Sequence, residues 1–242
     1  MKVRTFFSPA EVDPASLPGS TAVVIDVIRA TTAMIEALSS GARAILPTAS
    51  TEEAIRLANS LGREDTLLSG ERRGLKIDGF DLGNSPGEFI PERVRGKRLV
   101  TTTTNGTRAL LAAEDAERIV VAAFLNLDAV ADAVRTAPAL TFVCAGKEDR
   151  FSLDDALCAG MILRAVLAGR EETELQLDDA SSATLALALN YAPTPDFLSR
   201  TAAGAALVEV GLGADLEHCA RLSQCALVPE MRDRVVLLPE RS

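Results

Sequence analysis

Apolar residues gather in strand-length runs at positions 22–28, 98–103 and 140–145, and each run leads into a stretch where apolar residues recur with helical spacing. The helical stretches fall at 31–39, 52–61, 107–113, 127–135 and 153–168. Alternation of this kind predicts an α/β protein, a three-layer α/β/α arrangement around largely parallel or mixed sheets. Ser50 with Glu53, and Ser152 with Asp155, have the spacing of capping boxes that open helices. From Ser181 onward the pattern weakens. Tyr191-Ala-Pro-Thr-Pro reads as a loop, 202–213 as a glycine-rich helical stretch and 234–238 as a last strand.

A shift of 75 places lays the pattern of 22–71 over that of 97–146, strand on strand and helix on helix. Thr32 falls on Thr107, Arg43 on Arg118, Ala54 on Ala129, and Asp26 on Thr101 at equivalent strand ends. An internal duplication of a β-α-β-α-β unit is the expectation, so that 1–242 is one compact unit or two closely packed halves. Between the two segments, 72–96 is the least regular stretch, with Gly74, Gly79, Gly83, Pro86, Gly87 and Pro91 closely spaced. Irregular stretches of this length are more often functional loops than spacers.

At 242 residues and 48% apolar, the chain can bury a core without disulfides or structural metal. Its four cysteines, Cys144, Cys158, Cys219 and Cys225, form no C-x-x-C pair, and the single histidine, His218, completes no zinc set. They read as buried thiols. No apolar run is long enough for a signal peptide or a membrane span, which points to a cytoplasmic protein. A net charge of −9 argues against partnership with nucleic acid or an anionic membrane. The charge is uneven, however: 71–108 holds eight Arg or Lys against five acids, while 171–179 holds five acids and no base. An anionic small molecule is best received by the first of these stretches; self-association into a homo-oligomer stays open.

Candidate chemistry clusters at strand exits. Val23-Val-Ile-Asp-Val-Ile-Arg-Ala-Thr-Thr places Asp26 at the end of a buried strand, with Arg29, Thr31 and Thr32 where a helix opens. Ligands of open α/β sheets bind there, a helix start offers free N–H groups, and Asp26 is a hard oxygen ligand suited to magnesium. The plainer alternative is a capping threonine and an Asp26–Arg29 pair. Thr101-Thr-Thr-Thr-Asn-Gly-Thr-Arg is a second such turn, with Asn105, Gly106 and Thr107 forming a potential anion cradle or simply an Asn-Gly turn. Glu71, Arg72, Asp81, Asn84 and Ser85 surround glycine-bounded turns, and Phe80 and Phe89 read as core anchors of that loop. Lys147, Asp154 and Asp155 stand near a third strand exit as a candidate metal ligand and acid or base, although acids in a first helical turn also serve the helix dipole. Nucleotide fingerprints G-x-x-x-x-G-K-[ST] and G-x-G-x-x-G are absent.

Together, Asp26-Val-Ile-Arg-Ala-Thr-Thr, Gly70-Glu-Arg, Gly79-Phe-Asp-Leu-Gly-Asn-Ser-Pro, Thr102-Thr-Thr-Asn-Gly-Thr and Ser152-Leu-Asp-Asp-Ala-Leu-Cys-Ala-Gly resemble the 2-phosphosulfolactate phosphatase family. They occur in the family's order, and Asp215, Cys219 and Val228-Pro229 continue the match. One departure is Asp154, where the family pattern has Glu. The resemblance implies a magnesium-dependent hydrolase that converts 2-phospho-3-sulfolactate to sulfolactate and phosphate on a route to coenzyme M. In that reading Asp26 and Asp155 hold Mg²⁺ with Glu71 as a weaker third ligand, so that Asp26, Arg29 and Asp155 are catalytic. Arg29, Thr31, Thr32, Asn105, Gly106 and Thr107 take the phosphate, and Arg72, Asn84 and Lys147 receive a second anionic group. The absence of the D-x-D-x-T signature favours direct attack by water. Three alternatives stand beside this: a phosphatase of another small phosphorylated hydroxy acid, a noncatalytic anion-binding module, and a nucleotide-dependent transferase, which the missing nucleotide fingerprints disfavour.

Overall fold

The computed structural model describes residues 1–169 and 175–239; the acids at 171–174, which begin the acidic run, and the last three positions of the single-unit reading lie outside the described residues. Strands β1 (Lys2–Phe6), β2 (Thr21–Ile25), β3 (Ala44–Pro47), β4 (Thr66–Arg72), β5 (Leu75–Lys76), β6 (Arg98–Thr102), β7 (Arg118–Ala122), β8 (Ala139–Cys144), β9 (Gln176–Leu177), β10 (Glu230–Arg232) and β11 (Val235–Leu237) form one mixed sheet. Their order is β5-β4-β6-β3-β11-β10-β7-β2-β8-β1-β9. Between them lie helices α1 (Ala30–Ser39), α2 (Thr51–Leu61), α3 (Pro91–Val94), α4 (Gly106–Ala112), α5 (Leu127–Val134), α6 (Leu153–Leu167), α7 (Asp179–Asn190), α8 (Pro195–Ser199), α9 (Ala202–Glu209) and α10 (Asp215–Cys219).

β2 is buried at every position because both of its faces are covered. Ala22 and Val24 pack with Ile35, Leu38 and Leu110 from α1 and α4, whereas Val23 and Ile25 pack with Val130, Leu157 and Ile162 from α5 and α6. The period of two thus sends alternate side chains into two separate cores, giving the α/β/α layering. On the other wing, Ala54 and Ala58 of α2 pack on Leu68 and Val100. The hairpin β10–β11 joins the two parallel wings, pairing antiparallel with β7 on one side and β3 on the other.

The strand order carries a regularity that the linear pattern does not display. Exchanging β2 with β6, β3 with β7, β4 with β8 and β10 with β11 turns the order from β4 to β8 into its own reverse. Register obeys the same exchange: Val24 lies between Val121 and Val143, and Thr101 between Pro47 and Ser69. Each wing therefore holds, as its middle strand, the first strand of the other segment.

Within the irregular stretch, β4 and β5 form a hairpin whose turn is Arg73-Gly74, both at positive φ, a conformation that glycine adopts without cost. Phe80, Leu82 and Phe89 are buried and anchor the loop between β5 and α3. At Ser50 the side chain accepts the Glu53 N–H at 3.1 Å, a working cap. Ser152 instead donates to Asp154 Oδ1 at 2.6 Å and caps nothing, because Asp155 has been drawn away into the neighbouring turn. The cysteines are free, with Cys144, Cys158 and Cys219 buried and Cys225 half-buried. Among the described residues no helix is long and apolar enough to cross a membrane.

Candidate active site

Two threonine turns face each other across the wings. After β2, the Thr31 hydroxyl donates to the Asp26 carbonyl at 2.8 Å and accepts the Asp26 N–H at 3.0 Å, while the Thr32 hydroxyl donates to the Val27 carbonyl at 2.9 Å. After β6, the Thr107 hydroxyl donates to the Thr103 carbonyl at 3.1 Å and the Thr107 N–H to Thr103 Oγ1 at 3.0 Å. The turns touch at Gly106: a Cβ there would lie 2.4 Å from Ala30 Cβ and 2.7 Å from Asp26 Oδ2. Only hydrogen fits, so this glycine is set by close approach. The N–H groups of Asn105 and Gly106 have no acceptor among the described residues, as expected where a helix begins.

Beside this contact opens a cavity of about 450 Å³, lined on its polar side by Asp26, Arg29, Glu71, Arg73, Asn84, Asn105, Lys147, Glu148, Asp154 and Asp155. Three of these carboxylates are fixed by backbone N–H donors. Asp155 accepts the Val27 N–H at 2.8 Å and the Gly146 N–H at 3.0 Å, tying the β2 and β8 exits together. Glu71 accepts the Thr104 N–H at 2.7 Å and the Gly74 N–H at 2.8 Å, tying β4 to the β6 turn. Asp26 Oδ1 accepts the Ala30 N–H at 3.2 Å.

Burial and mutual repulsion dominate the electrostatics. Loss of solvation pushes the Asp26 carboxyl up from 3.8 to about 7, with the charges of Glu71 and Asp154 adding to the rise and the Ala30 N–H opposing it. Asp155 is raised well above its ordinary value by burial and by Asp154 and Asp26, and Asp154 is raised by burial against the pull of its Ser152 bond. Such crowding is relieved by protonation or by a cation. An all-oxygen donor set with further lone pairs on each carboxylate suits Mg²⁺ better than zinc. Among the described residues, no three acidic, histidine or cysteine side chains converge tightly enough to grip an ion as they stand. By chemistry these donors suit magnesium, while by position they form no ready ligand set.

The cavity combines crowded acids with Arg29, Arg73 and Lys147, and comparison with known proteins gives it a family. The family model for 2-phosphosulpholactate phosphatase matches residues 6–234. The chain belongs to this family. Its members are phosphoric monoester hydrolases, and similar proteins include a probable 2-phosphosulfolactate phosphatase of Caldicellulosiruptor saccharolyticus, 41% identical over 98% of this chain and 99% of the relative. Others with the same description come from Caldanaerobacter subterraneus subsp. tengcongensis, 37% identical over 98% of both chains, and Symbiobacterium thermophilum, 38% identical over 95% of this chain and 99% of the relative.

In this phosphatase-family fold, seven of the residues expected at the site, Asp26, Arg29, Glu71, Asn84, Asn105, Lys147 and Asp155, line one cavity. Thr31, Thr32 and Thr107 do not line it; their hydroxyls are fully buried and hold the two turns closed. Gly106 sits behind Asp26 as the contact between turns. Arg72 points away, donating to the Glu71 carbonyl at 2.9 Å and to Thr102 Oγ1 at 3.0 Å, and its neighbour Arg73 faces the cavity instead. Alternation along β4 sends Arg72 to the face opposite Glu71, and Arg73 follows it in the turn, at positive φ, where it lines the cavity. Arg29 pairs with Asp215 at 2.7 Å, not with Asp26. Sequence reasoning missed Arg73, Glu148 and the apolar wall of Ala203, Ala206, Leu207 and Val210 from the α9 region. Nothing in that glycine- and alanine-rich stretch announces a binding surface.

Proposed function

We propose that this phosphatase-family protein hydrolyses 2-phospho-3-sulfolactate to 3-sulfolactate and phosphate, and that it requires Mg²⁺. One observation carries the reading: Asp26, Glu71, Asp154 and Asp155 share a cavity with Arg29, Arg73 and Lys147. Carboxylates alone would repel a phosphate ester, and cations alone would bind it without activating it. Asp26 and Asp155, with Glu71, are the residues to hold Mg²⁺, which when bound supplies positive charge to the phosphoryl oxygens.

The chain's own groups perform the remaining tasks. Arg29 and the N–H of Asn105 receive phosphoryl oxygens, with donors already in place before charge develops. Arg73, Lys147 and Asn84 receive the carboxylate or sulfonate of the substrate. Asp154, whose carboxyl burial raises above its ordinary value, is the candidate to give a proton to the leaving oxygen as water attacks phosphorus and the P–O ester bond breaks. The apolar wall from Ala203 to Val210 limits water around the ester.

The test is a panel of esters with Mg²⁺. Phosphosulfolactate and phospholactate should release phosphate much faster than glycerol phosphate or a nucleotide, because an uncharged alcohol leaves buried cationic donors unpaired. Equal rates on all would refute the second anion pocket. Release from none would favour a noncatalytic anion-binding module.

A further inference from the structure

Arg29 precedes the first turn of α1 and is only 4% exposed, although it lines the cavity. Its Nη1 donates to Asp215 Oδ2 at 2.7 Å and to Ser85 Oγ at 3.0 Å, and its Nη2 donates to the Gly74 carbonyl. The Nε–H and one Nη2–H have no acceptor among the described residues and remain for a ligand. Asp215 opens α10, 186 positions along the chain, and is itself 13% exposed. A second contact holds the same segment along α1: Glu36 Oε1 accepts from Arg221 Nη1 at 3.3 Å and lies 3.7 Å from His218 Nδ1.

The anchor answers a physical difficulty. A guanidinium sharing a cavity with Asp26, Glu71 and Asp154 is attracted to all three, and an arginine folded onto them would spend its donors there and compete with any cation. In the structure Arg29 makes no ion pair with those acids; its one ion pair among the described residues is with Asp215. We propose that Asp215 is a positioning residue, which holds Arg29 so that its remaining N–H groups receive an oxyanion of the substrate. This rests on the phosphatase reading above. It makes the C-terminal helical segment part of the working site although α10 contributes no residue to the cavity wall.

Kinetics of the full chain, Asp215→Asn, Asp215→Ala and Asp215→Glu on 2-phospho-3-sulfolactate with Mg²⁺, alongside calorimetric binding of inorganic phosphate, provide the test. Asp215→Asn and Asp215→Ala should lower kcat about 100-fold and weaken phosphate binding about tenfold, with Asp215→Glu recovering most of both. In an Arg29→Lys background, Asp215→Asn should cost little more. Should Asp215→Ala not fold, the near-isosteric Asp215→Asn decides. Unchanged kinetics and phosphate binding in Asp215→Asn, or losses that multiply in the double variant, would overturn the assignment. A full chain that cleaves no ester defeats the proposed function but not this inference, which phosphate binding still judges: equal affinity in the full chain and Asp215→Asn, or none in either, overturns it.

Discussion

Asp26→Asn should make the metal-free protein more stable and almost inactive at once. In the folded chain the Asp26 carboxyl stands at about 7 against 3.8 ordinarily, so its ionised form is disfavoured there by about 4 kcal/mol at most, neighbouring acids sharing the repulsion. Below pH 3.8 both folded and unfolded states are protonated and the penalty is absent. As pH rises from 3.8 to about 7 only the unfolded state ionises, so stability falls, and above that it levels off. Asparagine carries no charge and keeps an oxygen for the Ala30 N–H, which Asp26 Oδ1 now accepts at 3.2 Å. Urea unfolding after EDTA treatment should therefore show Asp26→Asn gaining stability near pH 8, by up to about 4 kcal/mol, with the gain shrinking toward pH 4. With Mg²⁺ restored, its turnover on phosphosulfolactate should be lower by several orders of magnitude. A variant that is less stable than the parent near pH 8, or that turns over normally, would refute the placement of Asp26 as a strained, chemically used carboxylate.

Magnesium removal should abolish turnover while the far-ultraviolet dichroism persists, and full activity in metal-free protein would end the metal proposal. Gly106→Ala, whose Cβ would lie 2.4 Å from Ala30 Cβ and 2.7 Å from Asp26 Oδ2, should destabilise by about 1–3 kcal/mol and depress turnover; a variant with parental melting and rate would show that the turns can part freely. Asp155→Ala strands the buried N–H groups of Val27 and Gly146. Its expected cost of about 2–5 kcal/mol, partly offset by relief of charge repulsion, is readable by denaturant titration, and a more stable variant would show that repulsion outweighs those bonds.

The palindromic strand order also bears on the history of the chain. We propose that 22–71 and 97–146 descend from one duplicated β-α-β-α-β unit whose first strands exchanged wings. By hydrogen bonding Thr31 is the counterpart of Thr107, since the hydroxyl of each donates to the first carbonyl beyond its strand. Family sequences aligned half against half should share these threonines; similarity no greater than between unrelated β-α-β-α-β units would count against common descent.

The strongest signals in the sequence were those of short range. Residues 22–25 read as a strand because both faces of β2 are buried and these four positions are apolar, whereas 26–28, read with them, lie beyond the strand end at Ile25. Asp26, Glu71 and Asp155 were recognisable because a charge at the exit of such a run, next to a helix start or glycine turn, is placed by local geometry alone. The family motifs join these exits into one site, and in the structure Asp26, Glu71 and Asp155 line one cavity. Tertiary structure decided what depends on which exits meet. Arg29 turning to Asp215 spans 186 positions, and no periodicity carries information over that distance. Arg73 takes the place expected of Arg72 because hairpin pairing sends Arg72 to the far face of β4 and leaves Arg73 in the turn. The threonines looked like ligands because hydroxyls at a turn serve anions and backbone equally well. Local sequence thus determined where charge could collect, while sheet order and strand exchange decided which charges face one another, because those are set by packing between segments far apart in the chain.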